Sequence, residues 1–221
     1  MKLAGIVLAG MLAFPAACPA GQVSDVRLPA PQRDGKVSLE RSLATRRSVR
    51  AYRDEALKLA ELSQLLWAAQ GITGGDRLRT APSAGALYPL EVYVLAGKVE
   101  GLASGIYKYR PERHELAPVA KEDRRRALAD AALGQQFIAQ APAVFVIAGV
   151  YERTARRYGE RAPRYVHIEV GHAGQNICLQ AVALGLGSVP VGAFRDPDVK
   201  RVVGMADDEA PLYIIPVGQP R

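Results

Sequence analysis

One apolar segment constrains the fold of this chain more than any other feature. Residues 143–148 (AVFVIA) contain no polar side chain. A strand with one side in water alternates polar and apolar residues, whereas a strand that is apolar throughout is covered on both faces. The segment therefore predicts a strand inside a sheet that carries a layer of structure on each side.

Other segments supply the remaining layers. Residues 59–69 place leucines at helical spacing before Gly71, and residues 105–109 and 115–119 suit the arms of a hairpin that turns through residues 111–113. The complete pattern predicts an α+β fold. Further strands are predicted at residues 91–96 and 212–217, and further helices at residues 39–43, 164–184 and 196–204.

Composition limits the class of protein. The chain has 221 residues, of which 49% are hydrophobic, so it suits one compact domain, and its two cysteines exclude a disulfide scaffold. Lysine and arginine exceed aspartate and glutamate by 29 to 22, a formal net charge of +7 that favours anionic ligands such as phosphates.

The first residues predict export. Lys2 precedes an uncharged apolar run that is too short to span a bilayer, and small residues follow it, as in a secretory signal over residues 1–17. Cys18 also fits the end of a lipoprotein signal, although Pro15 departs from that pattern. We expect an exported protein, either periplasmic or membrane-anchored through a lipid on Cys18. A packed or disordered N-terminal arm is the alternative. Residues 18–38 are predicted to form a flexible tether before a domain at residues 39–221.

Several common sites lack the spacing that their chemistry requires. The sequence has neither a P-loop nor a Gly-x-Gly-x-x-Gly turn. His167 and Glu169 match the His-x-Glu part of a zinc deaminase motif. The sequence lacks the Pro-Cys-x-x-Cys part that supplies further zinc ligands, so no metal site is expected. Ser83 is preceded by Ala81 where a nucleophile elbow has its first glycine, so a serine hydrolase is not expected. The charged runs 121–126 and 153–164 suit solvated helix faces, and no nucleic-acid partner is expected.

Three segments remain as candidates for ligand binding. The arginine segment (residues 46–50) places three guanidinium groups and a hydroxyl within a few residues, which suits a phosphate and a polyol. The proline loop (residues 82–89) consists mainly of small residues between two prolines, and the glycine segment (residues 187–194) follows the long helix. Both can bring backbone N–H groups close to a flat ligand.

These segments resemble the FMN-dependent nitroreductase superfamily, and most closely its SagB-type dehydrogenases. The resemblance extends over about residues 39–218 and rests on four motifs in the same order: the arginine segment, the proline loop, EVGHAGQN at residues 169–176, and residues 185–194, which contain the glycine segment. It implies an α+β nitroreductase-like fold with a central mixed or antiparallel sheet flanked by helices. It also implies an intertwined homodimer with FMN at its interface.

The resemblance assigns cofactor contacts to each segment. Arg46, Arg47, Ser48 and Arg50 would hold the phosphate, the ribityl chain and the pyrimidine edge. Pro82, Ser83, Ala84 and Ala86 would line the flavin from the partner subunit, with Ala86 where many relatives have asparagine. Pro190, Val191, Gly192 and Ala193 would cover one face, with the Gly192 or Ala193 N–H near N5. Relatives often add a C-terminal basic residue, and here only Arg221 is available.

The resemblance leaves the substrate open. It implies an FMN oxidoreductase that moves hydride through N5 to or from a small organic molecule, with NAD(P)H as a possible electron donor. Azoline-to-azole oxidation is one alternative. The Lys-Tyr pair associated with it corresponds to Arg157 and Tyr158, which are the weak catalytic candidates, and arginine cannot act as a base. A catalytically inactive flavin-binding or ligand-binding envelope protein is the other alternative.

Overall fold

The computed structural model describes residues 24–75 and 78–221. Its strands are Val26–Arg27 (β1), Leu90–Ala96 (β2), Gly105–Arg110 (β3), Glu115–Ala120 (β4), Ala143–Gly149 (β5), Gly187–Ser188 (β6) and Ala210–Gly218 (β7). Within the described residues they form one sheet in the order β1-β4-β3-β2-β5-β7-β6, and each pair is antiparallel. The α+β fold class is confirmed, with an antiparallel sheet.

Strand β5 occupies the interior of the sheet between β2 and β7. All seven of its residues are buried, and Phe145 pairs with Val94 on one side and Ile215 on the other. The apolar segment at residues 143–148 therefore forms a strand covered on both faces, as its sequence predicts.

Helices cover both faces of the sheet. Leu62, Leu66 and Val166 belong to the core on one face, and Leu128 and Val199 to the core on the other. The helices are Leu39–Thr45 (α1), Leu59–Gln70 (α2), Arg125–Ala131 (α3), Phe137–Gln140 (α4), Tyr151–Tyr158 (α5), Ala162–Ala183 (α6) and Asp196–Val203 (α7), with 3-10 turns at Ala84–Ala86 and Gly159–Arg161.

The ends of α2 and α6 follow from local chemistry. Gly71 closes α2 by donating its N–H to Trp67 O at 2.7 Å. A Cβ on Gly71 would lie 2.1 Å from Trp67 Cδ1, so the tryptophan leaves room only for glycine. Helix α6 has Pro163 in its first turn, where a missing N–H costs no helical hydrogen bond. Its 22 residues extend over about 33 Å and connect both parts of the site described below.

The tether prediction is wrong for residues 24–38. Val26 and Arg27 pair with β4, and Leu28 is 6% exposed. The Ser63 hydroxyl on α2 donates to Pro29 O at 2.6 Å. Prolines and glycines in this stretch suggest a free chain, but the edge of β4 and polar side chains of α2 offer it partners. The stretch therefore packs on the domain.

Gln64 makes the most specific of these contacts. Its side chain accepts from Gln32 N–H at 2.8 Å and donates to Gln32 O at 2.9 Å. We expect Gln64→Ala to lower the free energy of unfolding by about 1–3 kcal/mol, because both backbone groups lose their partner. Tryptic cleavage at Arg27 and Arg33 should accelerate, while the exposed Gln140→Ala control changes neither quantity. Unaltered cleavage in Gln64→Ala would show that the Gln64–Gln32 hydrogen bonds do not hold the N-terminal stretch on the domain.

The predicted export signal and Cys18 lie outside the described residues, so export and lipidation stay predictions. Among residues 24–75 and 78–221, no helix has both the length and the apolar character needed to cross a membrane.

Candidate functional site

The arginine segment leaves the end of α1 as an exposed cationic turn. Helix α1 ends where the Arg46 N–H donates a hydrogen bond to Ser42 O at 2.9 Å. The side chains of Arg47 and Arg50 are exposed. Across residues 24–75 and 78–221, no carboxylate lies within 4.0 Å of the three guanidinium groups. Their positive charge is therefore available to an anion.

The glycine segment lies directly beside the arginine segment. Val49 N–H donates to Ser188 O at 3.0 Å, and Ser48 pairs with Ser188 in a parallel bridge. A Cβ on Gly187 would lie 2.7 Å from Val49 Cβ, so the two backbones approach as closely as glycine allows. Burial raises the pKa of the Cys178 thiol, which lies on α6 next to the Ser188 hydroxyl.

After its contact with Val49, the glycine segment exposes backbone N–H groups. Val191 exchanges two hydrogen bonds with Ile214, at 2.8 and 3.0 Å, which fixes its position on β7. Gly192 and Ala193 are exposed, and neither N–H has an acceptor in the part of the chain that the structure describes. A Cβ on Gly192 would meet no atom within 4 Å. The segment thus offers two unused donors with open space around the first.

The C-terminal residues add another cation to this region. Arg53 N–H donates to Gln219 O at 2.9 Å, and Arg221 N–H donates to Ala51 O at 3.2 Å. The last residues therefore run alongside residues 51–53, which puts Arg221 next to the end of the arginine segment. Sequence alone did not establish this proximity.

The proline loop has a constrained backbone. Gly85, Ala86 and Tyr88 have φ values of +62°, +53° and +46°, a left-handed region that costs non-glycine residues about 1 kcal/mol or more each. The Ser83 hydroxyl accepts from Tyr88 N–H at 2.9 Å, and the Arg79 guanidinium lies 4.5 Å from the centre of the Tyr88 ring. These contacts hold the small residues Ser83 to Ala86 in one compact turn.

The two weak catalytic candidates lie against this loop. A Cβ on Gly85 would be 2.9 Å from the Tyr158 hydroxyl and 3.1 Å from Arg157 Nη1, so the end of α5 packs where the loop has no side chain. Tyr158 also meets Tyr165 of α6 edge-to-face, with 4.9 Å between ring centres. The structure brings Arg157 and Tyr158 to the proline loop.

Glu169 is a functional candidate that the sequence analysis did not identify. It is 3% exposed, and its Oε1 has no hydrogen-bond partner within the described residues. Burial raises the pKa of its carboxyl from an ordinary 4.5 to about 7, against the opposing effects of the Ser83 hydroxyl and the Arg79 charge. Its position beside Val166, Val170 and Ala173 on the buried face of α6 was the available signal.

Glu169 and the proline loop both line a cavity of about 280 Å³. His172 is exposed at this cavity. The lining residues are Pro82, Ser83, Ala84, Tyr165, Ile168, Glu169 and His172. Asn176, one turn further along α6, donates to Ala68 O at 3.0 Å and so satisfies a backbone carbonyl.

Within one chain the site is in two parts. The proline loop adjoins α6 at Glu169, and the glycine segment adjoins it at Cys178. These positions are about 13 Å apart along the helix axis. No hydrogen bond or bridge among the described residues joins the proline loop to the arginine or glycine segment.

Arginines without a carboxylate partner among the described residues thus lie beside unused backbone donors on an α+β fold, and this arrangement suits an anionic small molecule. The particular family follows from sequence comparison. The Nitroreductase family model matches residues 43–219, and the chain belongs to that family. It is therefore an oxidoreductase of the nitroreductase family, and the superfamily predicted from its motifs is confirmed.

Individual relatives agree with this assignment. A Methanocaldococcus jannaschii protein that carries the name nitroreductase is 48% identical over 199 residues, which are 90% of this chain and 98% of that protein. A nitroreductase structure from Ralstonia eutropha has a TM-score of 0.79 at 27% identity and covers 96% of both chains. One from Anabaena variabilis has a TM-score of 0.74 at 36% identity over 83% of this chain, which spans only 38% of the Anabaena chain.

Proposed function

We propose that the protein is an FMN-dependent oxidoreductase that transfers hydride between a reduced donor and a small organic acceptor. The observation that carries this proposal is the pairing of the arginine and glycine segments through Val49 and Ser188. Among the described residues it sets cations without carboxylate partners beside two unused backbone donors, which fits a ligand with a phosphate at one end and a flat polar ring at the other.

Each part of FMN has a counterpart in these segments. Arg46, Arg47 and Arg50 would hold the phosphate and the pyrimidine edge, and the Ser48 hydroxyl the ribityl chain. Arg221 would add a second phosphate contact from the neighbouring backbone. Pro190 and Val191 would cover one face of the ring, and the Gly192 and Ala193 N–H groups would point at its reactive edge. FMN when bound supplies the hydride-accepting atom, and these residues orient it.

We further propose that two copies of the chain complete the site. In the described part of one chain, no hydrogen bond or bridge joins the proline loop to the other two segments. Pro82, Ser83, Ala84 and Ala86 would therefore line the flavin of the partner subunit. Leu39 and Leu43 on α1 and Ile168 on α6 are each more than half exposed. Burial of these apolar side chains would favour association.

Azoline-to-azole oxidation is the less favoured activity. That reaction removes a proton as hydride leaves, and a lysine could act as the base. Arg157 occupies the corresponding position beside Gly85, and its guanidinium stays protonated in proteins. We therefore favour reduction of a quinone or nitroaromatic acceptor over azoline oxidation.

A visible absorption spectrum tests the proposal. The purified protein should bind FMN and show an oxidised flavin spectrum, which anaerobic NADH or NADPH should bleach and a quinone should restore. Bound flavin that neither nucleotide reduces would indicate another electron donor, and bound flavin without turnover for any donor would favour the inactive binding protein. A protein that binds no FMN even when it is supplied would contradict the proposal.

A further inference from the structure

Glu169 is a buried carboxyl that the proposed flavin contacts do not use. It is 3% exposed, and its Oε1 lacks a hydrogen-bond partner among the described residues. A buried polar atom without a partner is costly, so its presence calls for an explanation by a function or a missing ligand. Burial also favours the protonated form of this carboxyl at neutral pH.

The cavity beside Glu169 connects the carboxyl with the proline loop. Its 280 Å³ is bounded on one side by Pro82, Ser83 and Ala84, and on the other by α6. This volume lies just below the range of about 300–1,000 Å³ for drug-sized ligands, which suits a molecule of one ring. A molecule in the cavity would contact both Glu169 and the loop that we propose lines the flavin.

The other polar groups near Glu169 are less suited to exchange a proton. The Arg79 guanidinium is held by Gln70 at 2.8 Å and by Glu112 at 3.1 Å, and arginine does not release its proton. The Ser83 hydroxyl, which accepts from Tyr88 N–H, is an aliphatic alcohol that does not ionise near neutral pH. Tyr165 and the exposed His172 are the remaining titratable groups, and both are included in the test below.

We propose that Glu169 is a catalytic residue that gives a proton to a small planar acceptor, a quinone or a nitroarene, bound in this cavity. This rests on the proposed FMN function, because the accompanying hydride comes from the reduced cofactor. For a quinone, one hydride and one proton convert the molecule to a hydroquinone while the hydride donor is oxidised. The Glu169 proton goes to a quinone oxygen, and the carboxylate then recovers a proton from water.

Steady-state kinetics test the catalytic part. Glu169→Gln should lower quinone turnover by about 100-fold and remove the alkaline decline that protonated Glu169 imposes on the wild-type rate near pH 7. Reduction of the flavin by NAD(P)H should change less than about twofold, since the acceptor is absent from that step. The matched control is Glu122→Gln, an exposed carboxyl paired with Arg124. The proposal would be overturned if Glu169→Gln had the same kinetics as Glu122→Gln. It would also be overturned if the alkaline decline of the rate disappeared in His172→Gln or Tyr165→Phe and not in Glu169→Gln.

Infrared difference spectroscopy gives a readout that does not require turnover. In the wild-type protein a protonated carboxyl band should disappear with a midpoint near pH 7, and Glu169→Gln should lack it. Nitrobenzene, which is neutral and accepts hydrogen bonds, should move this midpoint upward by about half a pH unit or more. Glu169→Asp provides a second variant if Glu169→Gln does not fold.

The two measurements separate this proposal from the proposed function. If the protein binds no FMN, the FMN function fails, and the infrared midpoint still decides whether Glu169 contacts an acceptor. A midpoint that nitrobenzene leaves unchanged overturns the role of Glu169, whether or not flavin is bound. A shift together with the kinetic effect supports both.

Discussion

Replacing Arg46 and Arg50 together with alanine is expected to weaken FMN binding by about 100-fold or more. Hydrogen bonds to a charged phosphate contribute about 1.5–3 kcal/mol each, so loss of two of them corresponds to at least two orders of magnitude. Both guanidinium groups lack a carboxylate partner within the described residues, and their removal therefore exposes no buried acid. Titration with FMN, followed by quenching of its fluorescence, measures the dissociation constant.

A second double variant controls for net charge. Arg113 and Arg201 are about three-quarters exposed and face Glu115 and Asp198. Their replacement by alanine removes the same two charges at a distance from the arginine segment, so the dissociation constant should change by less than about threefold. An equal loss of affinity in both double variants would indicate attraction by net charge alone and would reject a phosphate site at the arginine segment.

Glu169→Gln is expected to change the dependence of stability on pH. In the folded protein the carboxyl holds its proton up to about pH 7, whereas in the unfolded chain it releases the proton near its ordinary pKa of 4.5. The raised pKa of Glu169 therefore stabilises the wild-type protein. This stabilisation is complete below pH 4.5 and is lost as the pH rises to about 7. The loss amounts to about 3 kcal/mol, since one pKa unit corresponds to about 1.4 kcal/mol.

The variant cannot ionise at this position and should lack that loss. Its free energy of unfolding relative to wild type should rise by about 3 kcal/mol between pH 4.5 and 7.5, as measured by urea unfolding at each pH. An unpartnered amide can lower the stability of the variant by a constant amount, so the slope against pH carries the information. Parallel curves for the two proteins would show that folding does not raise the pKa of Glu169.

Local patterns predicted the elements that bury apolar side chains. The strand at residues 143–148, the hairpin at residues 105–119 and the leucine pattern of α2 depend on spacing that is visible within each segment. Strand β1 was missed because its two residues have no such pattern and depend on pairing with β4. Helix α5 was foreseen only as a charged helix face, since one of its eight residues, Thr154, is buried.

The candidate site was predictable as segments but not as an arrangement. Motif order identified the arginine and glycine segments, yet Ser48 and Ser188 are far apart in sequence, and only the fold places them in one bridge. The position of Arg221 beside Ala51 depends in the same way on pairing of distant backbone. Glu169 was recognised as part of a motif, but its burial against Ser83 requires the packing of α6 on the proline loop.

A crystal structure of the protein with FMN tests the central claim most directly. We predict the phosphate at Arg46, Arg50 and Arg221, and the reactive edge of the ring at the Gly192 and Ala193 N–H groups. The proline loop of a second copy should line the same flavin. FMN bound elsewhere, or bound without contact to the arginine and glycine segments, would contradict the account.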